Sequence, residues 1–157
     1  MKHNRIWTAL FLAYGALMLW LLFDRPGYTP EVPYWDQVAQ QLNLVPFRTL
    51  RLFAELLDSS HPEYVRAAVI NLGGNILMFI PLGFLLPKVF PKCATLPRVL
   101  LATAAIITVV ELLQLFTLVG SCDIDDLILN VGGAFLIYLF TKNKDAFGLL
   151  KRIFLLE

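Results

Sequence analysis

The chain has 157 residues, of which 58% are hydrophobic and only 16% are charged, and its formal net charge is +1. A soluble domain usually carries about 25% charged residues, so a water-soluble fold of this composition would lack polar surface. The near-zero net charge gives no basic field for nucleic acid, and two cysteines are too few for a disulfide framework. The composition therefore predicts an integral membrane protein.

Four apolar stretches are long enough to cross a bilayer, whose hydrocarbon core of about 30 Å needs about 20 helical residues. They cover residues 6–23, 64–86, 98–119 and 126–141. The first is predicted to be an uncleaved span, because its apolar run exceeds that of a typical signal peptide and no small-residue cleavage site follows. We therefore expect an all-α fold, an integral membrane helical bundle of about four transmembrane helices, in one domain covering 1–157.

Two further segments show the apolar spacing of amphipathic helices that lie at a membrane interface. The first belongs to the long connection between spans one and two, and its apolar positions are Phe47, Leu50, Phe53, Ala54 and Leu57. The second follows Thr141, where Phe147, Leu150 and Phe154 alternate with Lys151 and Arg152.

The 13 Lys and Arg residues are unevenly distributed, and such a bias sets the orientation of a membrane protein. With the N-terminus inside, most of them fall in cytoplasmic segments, and only Arg25, Arg48, Arg51 and Arg66 lie outside. We therefore predict a multi-pass protein of the bacterial cytoplasmic membrane with both termini cytoplasmic. This topology places Cys93 and Cys122 on opposite sides of the bilayer.

Polar side chains within membrane spans are costly and by default face a bundle interior or a cavity. Here they share helix faces at spacings of three or four residues: Asn71 with Asn75, Glu111 with Gln114, and Asp123 with Asp126 and Asn130. At about 1.5 Å of rise per residue, all three faces carry these groups in the outer half of the membrane. The pattern predicts a shared pocket that opens outward, whereas Asp125 is expected to point elsewhere, toward the head groups.

Simpler explanations compete with this pocket. Amide and carboxyl groups also hold helices together in bilayers through hydrogen bonds worth about 0.6 kcal/mol each. Asp125 and Asp126 suit an ordinary helix start, and a divalent cation such as Mg²⁺ or Ca²⁺ is a weakly supported occupant. Arg48 is expected to contact a lipid phosphate. Small residues are expected to allow close helix packing, at Gly73, Gly74, Gly83, Gly132 and Gly133.

The polar motifs resemble those of the VanZ-like family. The matching residues occur in order as Asn71-x-x-x-Asn75-x-x-x-Phe79-x-Pro81-x-Gly83, Glu111-x-x-Gln114 and Asp123-Ile124-Asp125-Asp126-x-x-x-Asn130-x-x-Gly133. With the upstream segment that starts at Asn43, the resemblance covers about residues 43–138. Such sequences often have an Arg shortly before the Asp run, where this chain has Gly120-Ser121-Cys122.

The resemblance implies a small bacterial membrane protein related to low-level resistance to the glycopeptide teicoplanin. We favour a non-enzymatic envelope protein without a cofactor that binds a lipid-linked or amphiphilic ligand, such as a cell-wall precursor, an undecaprenyl carrier or a lipoglycopeptide. The predicted ligand-binding residues are Asn71, Asn75, Glu111, Gln114, Asp123, Asp126, Asn130 and Arg48. The alternative is a cation-dependent enzyme acting on a lipid phosphate. A transporter is less favoured, because the polar groups stop halfway across and only a homodimer would complete a path.

Overall fold

The computed structural model describes residues 2–24 and 31–142. In chain order its elements are α1 (Lys2–Phe23), α2 (Tyr34–Gln40), β1 (Leu42–Asn43), α3 (Arg48–Leu57), α4 (Pro62–Val89), a 3₁₀ turn (Pro91–Cys93), α5 (Leu96–Thr117), β2 (Cys122–Asp123) and α6 (Ile124–Lys142). Four helices, α1, α4, α5 and α6, are long and apolar enough to cross a membrane. The prediction of an all-α multi-pass membrane bundle is confirmed.

The four spans agree with the predicted ones to within four residues at each end, and α5 ends two residues earlier than predicted. This helix ends at Thr117 because Leu118 adopts a left-handed conformation with φ of 57°. The backbone nitrogens of Leu118 and Val119 still bond to carbonyls of the last turn, at Leu115 and Gln114. These bonds satisfy terminal carbonyl groups that would otherwise lack partners.

Local chemistry also explains where α4 and α6 begin. Pro62 stands in the first turn of α4, where its missing N–H costs no helical hydrogen bond. Asp123 precedes α6, and its Oδ1 accepts a hydrogen bond from the backbone nitrogen of Asp125, 2.9 Å away. Asp123 therefore caps α6 as an N-terminal aspartate typically does.

The closest helix packing in the bundle joins α4 to α6. A Cβ atom on Gly83 would lie 2.7 Å from the Cα of Ala134, and one on Gly133 would collide with the carbonyl oxygen of Ile76. Glycine is required at both positions because only the absence of a side chain lets the two backbones approach so closely. The prediction is wrong for Gly73, Gly74 and Gly132, where an added Cβ would meet nothing within 4 Å.

Helix α1 packs mainly against α4. The Tyr14 hydroxyl donates to the carbonyl of Met78 at 2.9 Å, and the Trp7 and Phe84 rings meet edge to face with centroids 5.5 Å apart. The buried apolar core gathers side chains from α1, α4 and α5, namely Met18, Leu22, Phe79, Leu82, Leu86 and Ile107.

The connection between α1 and α4 lies at one end of the bundle, which we call the connector end. There β1 pairs in parallel with β2, so that Leu42 lies opposite Cys122 and Asn43 opposite Asp123. The predicted amphipathic helix is confirmed as α3, which has no buried residue and contacts α4 and α6. The short α2 was not predicted. The amphipathic segment predicted after Thr141 lies outside the described residues.

Candidate functional site

A cavity of about 130 Å³ lies between α4, α5 and α6 near the connector end. We call it the polar cavity, and its polar lining consists of Asn71, Asn75, Glu111, Gln114, Asp126 and Asn130, with Gly120 and Ser121. Six of the eight predicted site residues therefore meet here. Asn71 and Ser121 are exposed, so they mark the mouth of the cavity.

Asn75 links two helices across the cavity. Its side-chain nitrogen donates to the carboxylate of Asp126 on α6 and lies 3.3 Å from the side-chain oxygen of Asn71, one turn earlier on α4. One amide thus fixes the rotamers of two neighbours. The four-residue spacing of the two asparagines makes this arrangement possible because it places them on one helix face.

Glu111 and Gln114 are both buried on α5, and each is held by a backbone group. Glu111 accepts a hydrogen bond from the backbone nitrogen of Asp123 at 3.2 Å. Gln114 donates to the carbonyl of Leu22 at 3.1 Å, which ties α5 to the end of α1. The Glu111 carboxylate is therefore oriented by the turn that leads into α6, and it shares the cavity with the carboxylate of Asp126.

Asn130 is the cavity residue with an unmet hydrogen-bonding requirement. It is only 2% exposed, and its side-chain oxygen is buried without a hydrogen-bond partner. Leaving a buried acceptor unsatisfied costs about 1–3 kcal/mol, so native proteins rarely do so without a reason. A ligand that donates a hydrogen bond to this oxygen would remove the cost of leaving it unsatisfied.

Asp123 was predicted to line the pocket with Asp126 and Asn130, but the structure does not bring it there. Its Oδ2 instead accepts hydrogen bonds from Asn43 and Thr49 in the connector segment. The three-residue spacing to Asp126 was misleading because Asp123 caps α6 and lies before its first helical residue. Asp123 contributes indirectly, through the backbone nitrogen that orients Glu111.

The expectation that Asp125 points to the head groups is wrong. Its side chain is fully buried, and its two carboxylate oxygens accept hydrogen bonds from the backbone nitrogens of Phe47 at 2.6 Å and Leu50 at 3.0 Å. These groups belong to the N-terminus of α3, where the helix dipole favours a negative charge. Asp125 therefore caps a helix far away in the sequence and fastens α3 to α6.

Arg48 was predicted to contact a phosphate beside the pocket, but it does not line the polar cavity. It is exposed and forms no ion pair or hydrogen bond to another described side chain. In the part of the chain that the structure describes, no three His, Cys, Asp or Glu side chains are grouped so as to hold a metal ion.

Sequence reasoning missed two residues that support the site. Asn43 bonds to both Thr49 and Asp123, and Thr49 donates to the same Asp123 oxygen. No sequence pattern relates positions about 80 residues apart, although Asn43 stands at the start of the motif that resembles the family. Gly120 and Ser121, noted only for the missing Arg, line the cavity.

Comparison with known proteins agrees with this architecture. The family model described as VanZ/LLP1 matches residues 11–148, beginning in α1 and thus well before Asn43. A relative named Protein VanZ, from Enterococcus faecium, is 28% identical over 127 residues, which cover 81% of this chain and 68% of the relative. No solved structure matches. Since the family model spans most of the sequence and all four membrane helices, the chain belongs to the VanZ/LLP1 family.

Proposed function

We propose that this membrane protein binds the polar head group of a lipid-linked or amphiphilic ligand in the polar cavity, without catalysing a reaction. The observation that carries the proposal is the buried side-chain oxygen of Asn130, which has no hydrogen-bond partner and belongs to a residue that lines a cavity between three helices. If these polar groups served only to hold the helices together, we would expect each of them to be hydrogen-bonded to another. A ligand site keeps an acceptor available for its ligand.

The chemistry of the cavity favours a head group that donates hydrogen bonds. Two carboxylates, Glu111 and Asp126, line it together with acceptor oxygens of Asn71 and Asn130. Arg48 lies outside the cavity, so a phosphate would meet negative charge without a compensating cation. Ammonium and hydroxyl groups, as in amino sugars or amine-bearing lipids, suit this lining because they would donate hydrogen bonds to its two carboxylates and to the side-chain oxygen of Asn130.

The orientation predicted from the Lys and Arg distribution gives this binding a location. In the bacterial cytoplasmic membrane, with both termini inside, the connector end faces outward and the cavity opens toward the outer leaflet. Amphiphilic glycopeptides would be available there. We therefore propose that the protein lowers susceptibility to teicoplanin by binding such a molecule.

The experiment compares cells that express the wild-type protein with cells that express Glu111→Gln, Asn75→Ala or Asn130→Ala. The readout is the teicoplanin concentration that inhibits growth, normalised to the amount of membrane-inserted protein. The matched control is Glu63→Gln, because Glu63 is an exposed carboxylate paired with His61 and remote from the cavity. We expect the cavity variants to lose the protection that wild type and the control confer.

The proposal is contradicted if the three cavity variants are inserted normally and protect as well as wild type. The double variant Glu111→Gln with Asn130→Ala lacks both the charged acceptor of α5 and the unpaired amide oxygen of α6. If it still protects cells against teicoplanin, the proposal is likewise refuted. Cross-linking of an amphiphilic probe to the protein tests the same site independently of antibiotic susceptibility.

A further inference from the structure

A second cavity of about 160 Å³ continues from the polar cavity toward the middle of the bundle. The two cavities share three lining residues, Leu22, Phe79 and Val110, so they are neighbours separated by an apolar wall. The second cavity is lined by apolar side chains of α1, α4 and α5, including Ile106, and by Gly15. We call it the apolar cavity. Polar and apolar space are therefore adjacent in the order that an amphiphile needs.

The apolar cavity lies beside α1 and α5, two helices that are not closely packed against each other. Helix α1 is fastened to α4 by hydrogen bonding and ring contacts, through Tyr14 and Trp7. One hydrogen bond, from Gln114 to Leu22 at the connector end, joins α5 to α1, and α1 and α5 are not among the closely packed helix pairs. Two residues that line the apolar cavity, Leu19 on α1 and Ile106 on α5, are also exposed on the surface of the bundle, so the cavity reaches the surface that would face lipid.

We propose that the ligand is a single-chain amphiphile with an ammonium head, which enters sideways from the bilayer between α1 and α5. Its chain occupies the apolar cavity and its head occupies the polar cavity beside Glu111. This inference rests on the proposed function, since the head site is the same. The apolar cavity has a volume of about 160 Å³, so it has room for a run of methylene groups of one chain.

The charges that line the polar cavity favour an ammonium head over an anionic one. The head site contains the carboxylates of Glu111 and Asp126, and Arg48 does not line it. An apolar chain in the membrane gains little from leaving lipid for an apolar cavity. Selectivity among membrane amphiphiles must therefore come from the head group. The carboxylates of the polar cavity attract a positively charged head to this end of the bundle.

The experiment uses hexadecylamine with a photoreactive diazirine in mid-chain, added to the full-length protein in phosphatidylcholine liposomes. Cross-linked peptides are identified by mass spectrometry. A probe with the same chain and a phosphate head is the matched control ligand. We expect the amine to label the α1 and α5 segments around Met18 and Ile106 at least fivefold more than the phosphate does.

Two variants fill the apolar cavity from different helices, Gly15→Leu on α1 and Ile106→Trp on α5. A Cβ at Gly15 meets nothing within 4 Å, so the leucine side chain has room to project. Ala16→Leu, on the exposed face of α1, is the matched control. We expect the filling variants to reduce labelling at least fivefold and Ala16→Leu to leave it unchanged.

The possible results separate the two proposals. If Glu111→Gln abolishes the preference for the amine while both filling variants label normally, the inference about the chain is overturned and the head site stands. If Glu111→Gln leaves the preference intact, the proposed function is overturned. Equal labelling by the amine and the phosphate in wild type would refute the ammonium head.

Discussion

The carboxylate of Asp125 accepts a hydrogen bond from the backbone nitrogen of Phe47, 2.6 Å away, across 78 positions of sequence. Phe47 precedes α3 in a left-handed conformation with φ of 64°, which is unfavourable for a residue with a bulky side chain. The same carboxylate also receives the backbone nitrogen of Leu50. Asp125 therefore holds both the strained residue and the first turn of α3 in place.

Asp125→Ala is expected to release α3 from the bundle. The change leaves two backbone donors without their charged acceptor, a loss that we estimate at about 2–4 kcal/mol from the usual strength of such hydrogen bonds. Arg48 and Arg51 lie within the released helix, so trypsin should cleave there much faster in the variant. Limited proteolysis in detergent micelles, followed by mass spectrometry, measures this directly.

Two companion variants make that test specific. Asp125→Asn keeps one acceptor oxygen and should give intermediate cleavage. Asp58→Ala removes an exposed carboxylate at the other end of α3 and should leave the trypsin pattern unchanged. Slow cleavage at Arg48 and Arg51 in Asp125→Ala, as in wild type, would show that α3 is held by something else.

Much of the membrane architecture was predictable from the sequence, since each span is long, apolar and continuous. Hydrocarbon forces the backbone to satisfy its own hydrogen bonds, so a long apolar run in a membrane has few alternatives to a helix. The shared faces were predictable for the same reason: Asn71 and Asn75, like Glu111 and Gln114, lie inside regular helices, where spacing determines direction.

The connector end was not predictable, because its contacts join distant segments through irregular backbone. Asp123 lies in β2, before α6 begins, so helical spacing gives the wrong direction for its side chain. Asp125 does point away from the polar cavity, but its partners in α3 and at Phe47 are distant in sequence. The parallel pairing of Asn43 with Asp123 has no local sequence signal. Arg48 does not line the polar cavity, because proximity to the membrane surface does not place a long side chain in a particular cavity.

Gly83→Ala should weaken the packing of α4 against α6. The new methyl group would lie 2.7 Å from the Cα of Ala134, and overpacking against backbone of this kind costs about 1–3 kcal/mol. Thermal unfolding in detergent should show a lower midpoint. Gly73→Ala in the same helix is the matched control, since its methyl group meets nothing within 4 Å, and it should unfold at or above the wild-type temperature. Equal midpoints for the two variants would contradict the close approach.

The two cysteines allow the predicted orientation to be tested. Cys122 lies at the connector end, in β2, and Cys93 in the turn between α4 and α5. In right-side-out vesicles, a membrane-impermeant maleimide should label the Cys93→Ser protein at Cys122 and spare Cys93 in the Cys122→Ser protein. Inside-out vesicles should give the reverse. Labelling of Cys93 from outside would invert the topology and move the cavity to the cytoplasmic side.

The rate of that labelling should depend strongly on pH. Burial, with the carboxylates of Glu111 and Asp123, raises the pKa of the Cys122 thiol above its ordinary value of 9.0. Because the thiolate is the reactive form, the rate should rise about tenfold per pH unit between pH 7 and 9 without levelling off. A rate that reaches a plateau below pH 9 would show that the thiol is not in this environment.

Ser121→Arg should close the head site with a positive charge. Ser121 lines the mouth of the polar cavity, in the turn where similar sequences often carry an Arg, and the carboxylates of Glu111 and Asp126 line the same cavity. An introduced guanidinium would pair with them and compete with an ammonium head, so labelling by the amine probe should fall at least fivefold. Ser60→Arg adds the same charge at an exposed position before α4 and should have no effect.

Undiminished amine labelling in a correctly inserted Ser121→Arg protein would mean that the carboxylates of Glu111 and Asp126 do not select the ligand. Increased labelling by the phosphate probe in the same variant would show that the charge at the cavity mouth decides which head group is bound.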